Sequence, residues 1–200
     1  MFFNKGFILA SSSQSRYKIL KNNKLFFKQM NPSCNESFFK KKLIKNMVAP
    51  SKISLELARI KSKSISIKKP KDLVVGCDTI VSVGGVVLSK AKNLKDAKKK
   101  IMNFSGKTHY IYSSASVFLN KKEIWRSTEK STIKIRRLTE KEVDEYLLKT
   151  KKKILTSVGC YQVESLGPNI IEGIKGDFFN VMGFPLFPFL IFLKNYMVKK

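Results

Sequence analysis

Apolar residues recur with two different spacings along the chain, which indicates a mixture of strands and helices. Short apolar runs over residues 7–10 and 74–77 predict buried strands, and the second is expected to end at Asp78. Residues 80–88 predict a hairpin with a tight turn at two glycines, which accept the positive φ angles that such turns need. Residues 108–119 alternate between apolar and polar positions, as expected for a strand.

Apolar residues three and four positions apart predict helices in the segments between these strands. The predicted helices follow Ser13, begin near Ser51, cover residues 93–104, follow Thr139 and begin near Pro185. Thr139 with Glu142 has the spacing of a capping box. A turn at residues 120–122 is expected to return the chain through residues 124–125 into a strand at 133–135. Further strands are expected around residues 158–163 and 170–171. Together these elements predict an α/β fold, with a long mixed, partly antiparallel sheet flanked by helices, as a single domain over residues 1–200.

Two apolar stretches resemble export or membrane signals but are too short. The apolar run after Lys5 is about half the length of a secretory signal, so residues 7–10 are interpreted as a buried first strand. Residues 184–193 contain two prolines and fall well short of the ~20 residues needed to cross a bilayer. The sequence therefore predicts no membrane partner.

Three cysteines, Cys34, Cys77 and Cys160, are odd in number and lack the C-x-x-C spacing of zinc and redox sites. This usage is typical of a reducing compartment rather than of a disulfide-stapled secreted protein. We expect free thiols and a cytoplasmic location.

Positive charge dominates the composition: 40 Lys and Arg residues against 14 Asp and Glu give a net charge of +26. A basic surface is typical of nucleic-acid binding. However, only five of the basic residues are arginine, the usual reader of base edges, and the lysines are spread along the whole chain. An AT-rich coding sequence would produce the same composition. Either origin implies weak, nonspecific binding of polyanions that falls steeply with salt.

Two strand ends carry residues that could bind phosphate or metal. Ser11 and Arg16 stand at the start of a predicted helix, where free backbone N–H groups attract anions, although serines there also fit a plain N-cap. Asp78 directly follows an apolar strand, a common place for ligand-binding groups in α/β sheets. Its carboxylate could hold Mg²⁺, accept a proton from water, or only cap a turn. Glu36, Lys61 and Lys90 are weaker candidates that depend on the wider pattern.

Eight short segments occur in a characteristic order. They are LASSS at 9–13 with Arg16, Asn35-Glu36, Leu57-Ala58 with Lys61, VGCDT at 75–79, Lys90, SGKTH at 105–109, VGCY at 158–161 with Glu164, and GDFFNVMGFPL at 176–186. In this order the chain resembles the Maf family, also called septum-formation-inhibitor-like proteins, over nearly its full length.

The resemblance implies two lobes around a nucleotide-binding cleft, as in inosine-triphosphatase-like folds. It also implies hydrolysis of a nucleoside triphosphate to the monophosphate and pyrophosphate, assisted by a divalent cation, Mg²⁺ or Mn²⁺. By position, Asp78 matches the proton acceptor, Glu36 and Asp78 match the metal carboxylates, and Ser11, Arg16, Lys61 and Lys90 match the phosphate contacts. Family members commonly form homodimers; the sequence leaves dimerisation open.

The chain departs from the family pattern at positions that help to set base specificity. Ser15 replaces the first of two arginines, Thr79 is similar to the branch that prefers dTTP and UTP, and Glu164 replaces the glutamine common in that branch. Lys90 is followed by Ala91 instead of proline. The preferred nucleobase is therefore left open among ordinary, modified and noncanonical nucleotides.

His109, the only histidine, lies on an alternating strand, which favours a structural role over a catalytic one. An alternative function for the whole chain is a basic nucleic-acid-binding or cell-division regulatory protein that keeps the fold without the activity. The net charge and the departures at Ser15 and Ala91 support this alternative.

Overall fold

The computed structural model of the protein describes residues 6–198, which form one seven-stranded sheet covered by helices. The strands are β1 (Phe7–Ala10), β2 (Phe27–Met30), β3 (Val74–Val83), β4 (Val86–Val87), β5 (Thr108–Leu119), β6 (Lys122–Ile135) and β7 (Ile171–Lys175). The helices are α1 (Gln14–Asn22), α2 (Glu36–Lys45), α3 (Pro50–Ser66), α4 (Leu94–Phe104), α5 (Glu140–Thr150), α6 (Phe178–Met182) and α7 (Leu186–Val198). Two short 3₁₀ helices, Lys151–Thr156 and Gly167–Asn169, follow α5.

The sheet changes from parallel to antiparallel pairing at β3. Its strand order is β2-β1-β3-β5-β6-β7, and β4 folds back on the end of β3. Only β1 with β2 and β1 with β3 are parallel; the remaining pairs are antiparallel. This mixed, mostly antiparallel sheet flanked by helices confirms the predicted α/β fold.

Strand β3 is longer than predicted, and this changes the setting of Asp78. The prediction that the strand ends at Asp78 is wrong, because β3 continues to Val83. Its parallel pairing with β1 stops at Gly76, but hydrogen bonds to β5 sustain the strand beyond that point. Asp78 therefore lies within a strand, at a level where the neighbouring strand β1 has already ended, and it caps no turn.

Three other segments also differ from prediction. Residues 158–163 form turns instead of a strand, with Cys160 in the left-handed region at φ 57°. Residues 122–135 form one continuous strand, where the sequence placed the strand itself only at 133–135 and a returning segment at 124–125. Helix α2 was not predicted; none of its residues is fully buried, so its apolar pattern is weak, although the Asn35 side chain caps its first turn.

Several predictions of local structure agree with the structure. The hairpin turns at Gly84 and Gly85, both with positive φ, and the Thr139 capping box of α5 is present. All three cysteines are free. Across the described residues, every helix is too short or too polar to span a bilayer. The five residues before Gly6, which begin the signal-like stretch, lie outside the described residues.

A glycine sets the distance between α3 and the sheet. A Cβ at Gly76 would overlap the carbonyl oxygen of Ala58 and lie 2.5 Å from the backbone nitrogen of Ser62. The buried face of α3 also carries small side chains, including Ser54, Ala58 and Ser62. Because these side chains are small, the helix backbone approaches β3 closely, which brings Lys61 of α3 beside Asp78.

Candidate active site

A cleft with a volume of about 480 Å³ lies between two parts of the fold. One wall consists of the start of α1 with parts of α2, α3 and β3, and a second consists of residues 156–164. Residues 181–183 join the first wall, because the Gly183 carbonyl accepts a hydrogen bond from Arg16. This volume falls in the range of small-molecule binding sites.

The cleft centres on a buried lysine held by two carboxylates. The Nζ atom of Lys61 lies 2.5 Å from Oδ1 of Asp78 and 2.7 Å from Oε2 of Glu36. The side chains of Lys61 and Asp78 are each only 6% exposed, whereas that of Glu36 is 47% exposed. Three predicted site residues, from α2, α3 and β3, are thus brought into direct contact.

The two carboxyl groups differ in proton affinity. Burial raises the pKa of Asp78, and the charges of Lys61 and Arg16 offset this only in part. For Glu36, burial also acts to raise the pKa, but Lys61, Arg16 and Lys40 together outweigh it and hold that pKa below its usual value. The two pKa values are thus shifted in opposite directions, and neighbouring acids in such different environments are suited to different roles.

Arg16 is fixed in the cleft wall by three hydrogen bonds. Its guanidinium donates to the carbonyl oxygen of Gly183 at 2.9 Å, to Oγ1 of Thr79 at 3.0 Å and to Oγ of Ser11 at 3.2 Å. All three acceptors are neutral, so the positive charge of Arg16 remains available to a ligand. The Ser11 hydroxyl is buried beneath Arg16 and also accepts from the Ser13 backbone N–H, so a direct phosphate contact by Ser11 stays a prediction.

The other predicted residues lie around the cleft. Ser15, Thr79, Lys90 and Glu164 all line it. Lys90 and Glu164 are exposed and form no ion pair with any residue that the structure describes. Both charges are therefore free to meet a ligand.

The second wall mixes apolar with polar side chains, and Tyr161 anchors it. The Tyr161 hydroxyl lies 2.6 Å from Nε2 of His109, and a Cβ at Gly159 would lie 2.6 Å from the Tyr161 ring. Burial lowers the pKa of His109 to about 4, so this histidine is neutral near pH 7. It packs on Phe104 and does not line the cleft, which agrees with a structural role.

Comparison with known proteins identifies the family of this chain. A family model described as Maf-like protein matches residues 6–196. The chain belongs to the Maf family. Among curated relatives, the 7-methyl-GTP pyrophosphatase of Bartonella henselae is 37% identical over 192 residues, which cover 96% of each chain. The Nucleoside triphosphate pyrophosphatase of Caulobacter vibrioides is 34% identical over 186 residues, or 93% of each chain.

One solved structure, the Ham1 protein of Staphylococcus aureus, matches this Maf-family chain with a TM-score of 0.37 and 16% identity. The match covers 64% of this chain and 70% of that one. A TM-score this low supports no conclusion about fold or function.

Sequence reasoning missed one charged residue in the cleft of this Maf-family protein. Lys40 lines the cleft from α2, one helical turn after Glu36. Residues four positions apart share a helix face, so Lys40 could have been found once α2 was known. The signal for α2 itself was present, because Asn35 caps the helix and Glu36 lies in its first turn.

A metal would need ligands beyond the protein. Within residues 6–198 no group of three or more His, Cys, Asp and Glu side chains is arranged to hold a metal ion. The carboxylates of Asp78 and Glu36 nevertheless converge on one point, the Lys61 ammonium. Mg²⁺ is commonly held by one or two carboxylates together with substrate phosphates and water, and this donor pair fits that pattern.

Proposed function

We propose that this Maf-family protein hydrolyses a nucleoside triphosphate between its α- and β-phosphates, giving the nucleoside monophosphate and pyrophosphate. The contact of Asp78 and Glu36 with Lys61 in the cleft carries this proposal, because it places a base, a second carboxylate and a cation together. The names of the relatives from Bartonella and Caulobacter support the reaction type.

The two walls suggest how the substrate lies. Val158 and Val163 of the second wall offer an apolar surface for the base, whereas Arg16 and Lys61 lie on the first wall, which we call the charged wall. Fixed guanidinium and ammonium groups bind phosphate oxygens through charge-assisted hydrogen bonds. We assign the phosphates to the charged wall, where Lys90 and the start of α1 with its serines also contribute.

Asp78 is the proton acceptor of the proposed reaction. The oxygen of a water molecule forms a bond to the α-phosphorus, its proton passes to the Asp78 carboxylate, and the bond to the bridging oxygen breaks. Pyrophosphate leaves with the electrons of that bond, and Arg16, Lys61 and Lys90 stabilise its charge. No covalent intermediate forms on the protein.

A divalent cation, Mg²⁺ or Mn²⁺, would be held by Glu36 and Asp78 together with phosphate oxygens. When bound, such an ion supplies neutralisation of phosphate charge and orientation of the attacking water. The same carboxylates contact Lys61 in the structure, so we expect its ammonium to shift toward the phosphates when substrate binds.

Ser15, Thr79 and Glu164 are the proposed positions of base specificity. They line the cleft, and Thr79 is additionally fixed by Arg16 and by the hydroxyl of Ser113 at 2.9 Å. A cytoplasmic location stays a prediction, as does dimerisation.

Turnover of a substrate panel tests the proposal. Purified protein is incubated with ordinary, methylated and other modified nucleoside triphosphates plus Mg²⁺ or Mn²⁺, and both pyrophosphate and single phosphate are measured. We expect the protein to release pyrophosphate, and we expect this release to stop when a chelator removes the divalent cation. Release of single phosphates, or no turnover of any member, would show that the proposal is wrong, and tight salt-resistant binding of duplex DNA without turnover would favour the nucleic-acid-binding alternative.

A further inference from the structure

The cations of the cleft differ in how far their charge is already balanced. Lys61 is neutralised by two carboxylates, and Arg16 is held by neutral acceptors. Lys40 forms neither an ion pair nor a hydrogen bond with any described residue through its ammonium, although its side chain is half-buried in the cleft wall. Its ammonium is therefore available to a ligand that enters the cleft.

The packing of α2 fixes where Lys40 can act. Phe39 and Leu43 hold the helix against Ile53 and Leu57, so α2 belongs to the charged wall. Glu36 lies on the same helix face and reaches the reacting centre through Lys61. Lys40 is close enough for its charge to contribute to the low pKa of Glu36.

We propose that Lys40 binds the pyrophosphate portion of the substrate, the β- and γ-phosphates, and stabilises it as it leaves. This inference rests on the proposed function. The apolar side chains of Val158 and Val163 are suited to the base, and Asp78, as the proposed proton acceptor, marks the bond that breaks. The unpaired cations of the cleft, Lys40 and Lys90, are therefore assigned to the phosphates beyond that bond.

Direct binding of products tests the assignment without turnover. Affinities for pyrophosphate and for a nucleoside monophosphate are measured by calorimetry in Lys40→Ala, Lys40→Arg and Lys42→Ala. Lys42 is the matched control, because it is an exposed lysine of the same helix that does not line the cleft. Circular dichroism establishes that each variant is folded.

We expect Lys40→Ala to weaken pyrophosphate binding on the order of tenfold, as for loss of one charge-assisted hydrogen bond, and to leave monophosphate binding within about twofold. Lys40→Arg should recover most of the loss, and Lys42→Ala should resemble wild type. The slope of pyrophosphate affinity against salt should also decrease in Lys40→Ala only.

Two results would overturn the assignment. Equal losses in Lys40→Ala and Lys42→Ala would mean that only the general positive field matters, and an equal loss for monophosphate would place Lys40 elsewhere on the substrate. If no triphosphate is hydrolysed but Lys40→Ala still selectively weakens the binding of pyrophosphate, the proposed function is wrong and the assignment of Lys40 is supported. If a triphosphate is hydrolysed but Lys40→Ala leaves the pyrophosphate affinity unchanged, the proposed reaction is supported and the assignment of Lys40 is wrong.

Discussion

The ammonium of Lys61 and the carboxylate of Asp78 form a buried ion pair, with 2.5 Å between Nζ and Oδ1. Glu36 shares the same ammonium, so one cation restrains two acids before any substrate is present. Phosphate oxygens would compete with both carboxylates for Lys61. We therefore expect substrate binding to release Asp78 partly from its ion pair and make it a better proton acceptor.

Replacement of Asp78 by asparagine should abolish most of the activity. The amide keeps the shape of the side chain but cannot take a proton, so kcat for pyrophosphate release should fall on the order of 10²–10⁴-fold. Asp144→Asn is the control, since Asp144 is exposed on α5 and pairs with Lys98. A near-wild-type rate for Asp78→Asn would assign the base to another group.

The pH dependence of the reaction should respond to Glu36. The negative charge of Glu36 helps to raise the pKa of Asp78, and the reaction requires ionised Asp78. Removing that charge lowers the pKa of Asp78, so the acid limb of kcat/KM should move to lower pH in Glu36→Gln, even if the maximal rate is reduced. Glu145→Gln, an exposed residue of α5, should leave the limb in place. A shift of the acid limb to higher pH would contradict the inference that the charge of Glu36 raises the pKa of Asp78.

The close contact at Gly76 should be essential for both stability and activity. A methyl group there would overlap Ala58 and crowd Ser62, so Gly76→Ala should lower the free energy of unfolding by about 1–3 kcal/mol. The displaced helix should also separate Lys61 from Asp78 and reduce kcat. Gly173→Ala meets no atom within 4 Å and should be nearly neutral. Urea denaturation with rate measurements on both variants checks this, and equal stabilities would contradict it.

Acid should destabilise the protein partly through His109. Burial lowers the pKa of His109 from 6.5 to about 4 in the folded chain. The unfolded chain therefore binds a proton first, and stability is lost as pH falls from 6.5 toward 4, by up to about 1.4 kcal/mol per pH unit.

The His109→Gln variant isolates this contribution because glutamine does not titrate but can still bond the Tyr161 hydroxyl. The free energy of unfolding of wild type should fall relative to the variant over that pH range, as measured by urea denaturation at several pH values. Parallel curves would show that His109 does not titrate differently on folding.

The sequence was most informative where a local structure depends only on residues that are close together in the chain. The capping box at Thr139 and the glycines at 84–85 involve only neighbouring residues, and both were predicted correctly. The strand predicted over residues 158–163 was wrong. Cys160 has a left-handed backbone conformation that a regular strand does not allow, and Tyr161 contacts His109 and Gly159, which local periodicity does not report.

The amino-acid sequence by itself determined the α/β fold class, the family and the small set of charged residues around Asp78. Only the tertiary structure decided that β3 runs on past Asp78, that one ammonium joins Asp78 to Glu36, and that Lys40 faces the cleft. The reason is physical: periodicity and motifs record interactions between residues near in the chain. The site instead depends on how closely α2, α3 and the sheet pack, which is set by long-range contacts such as that of Gly76 with α3.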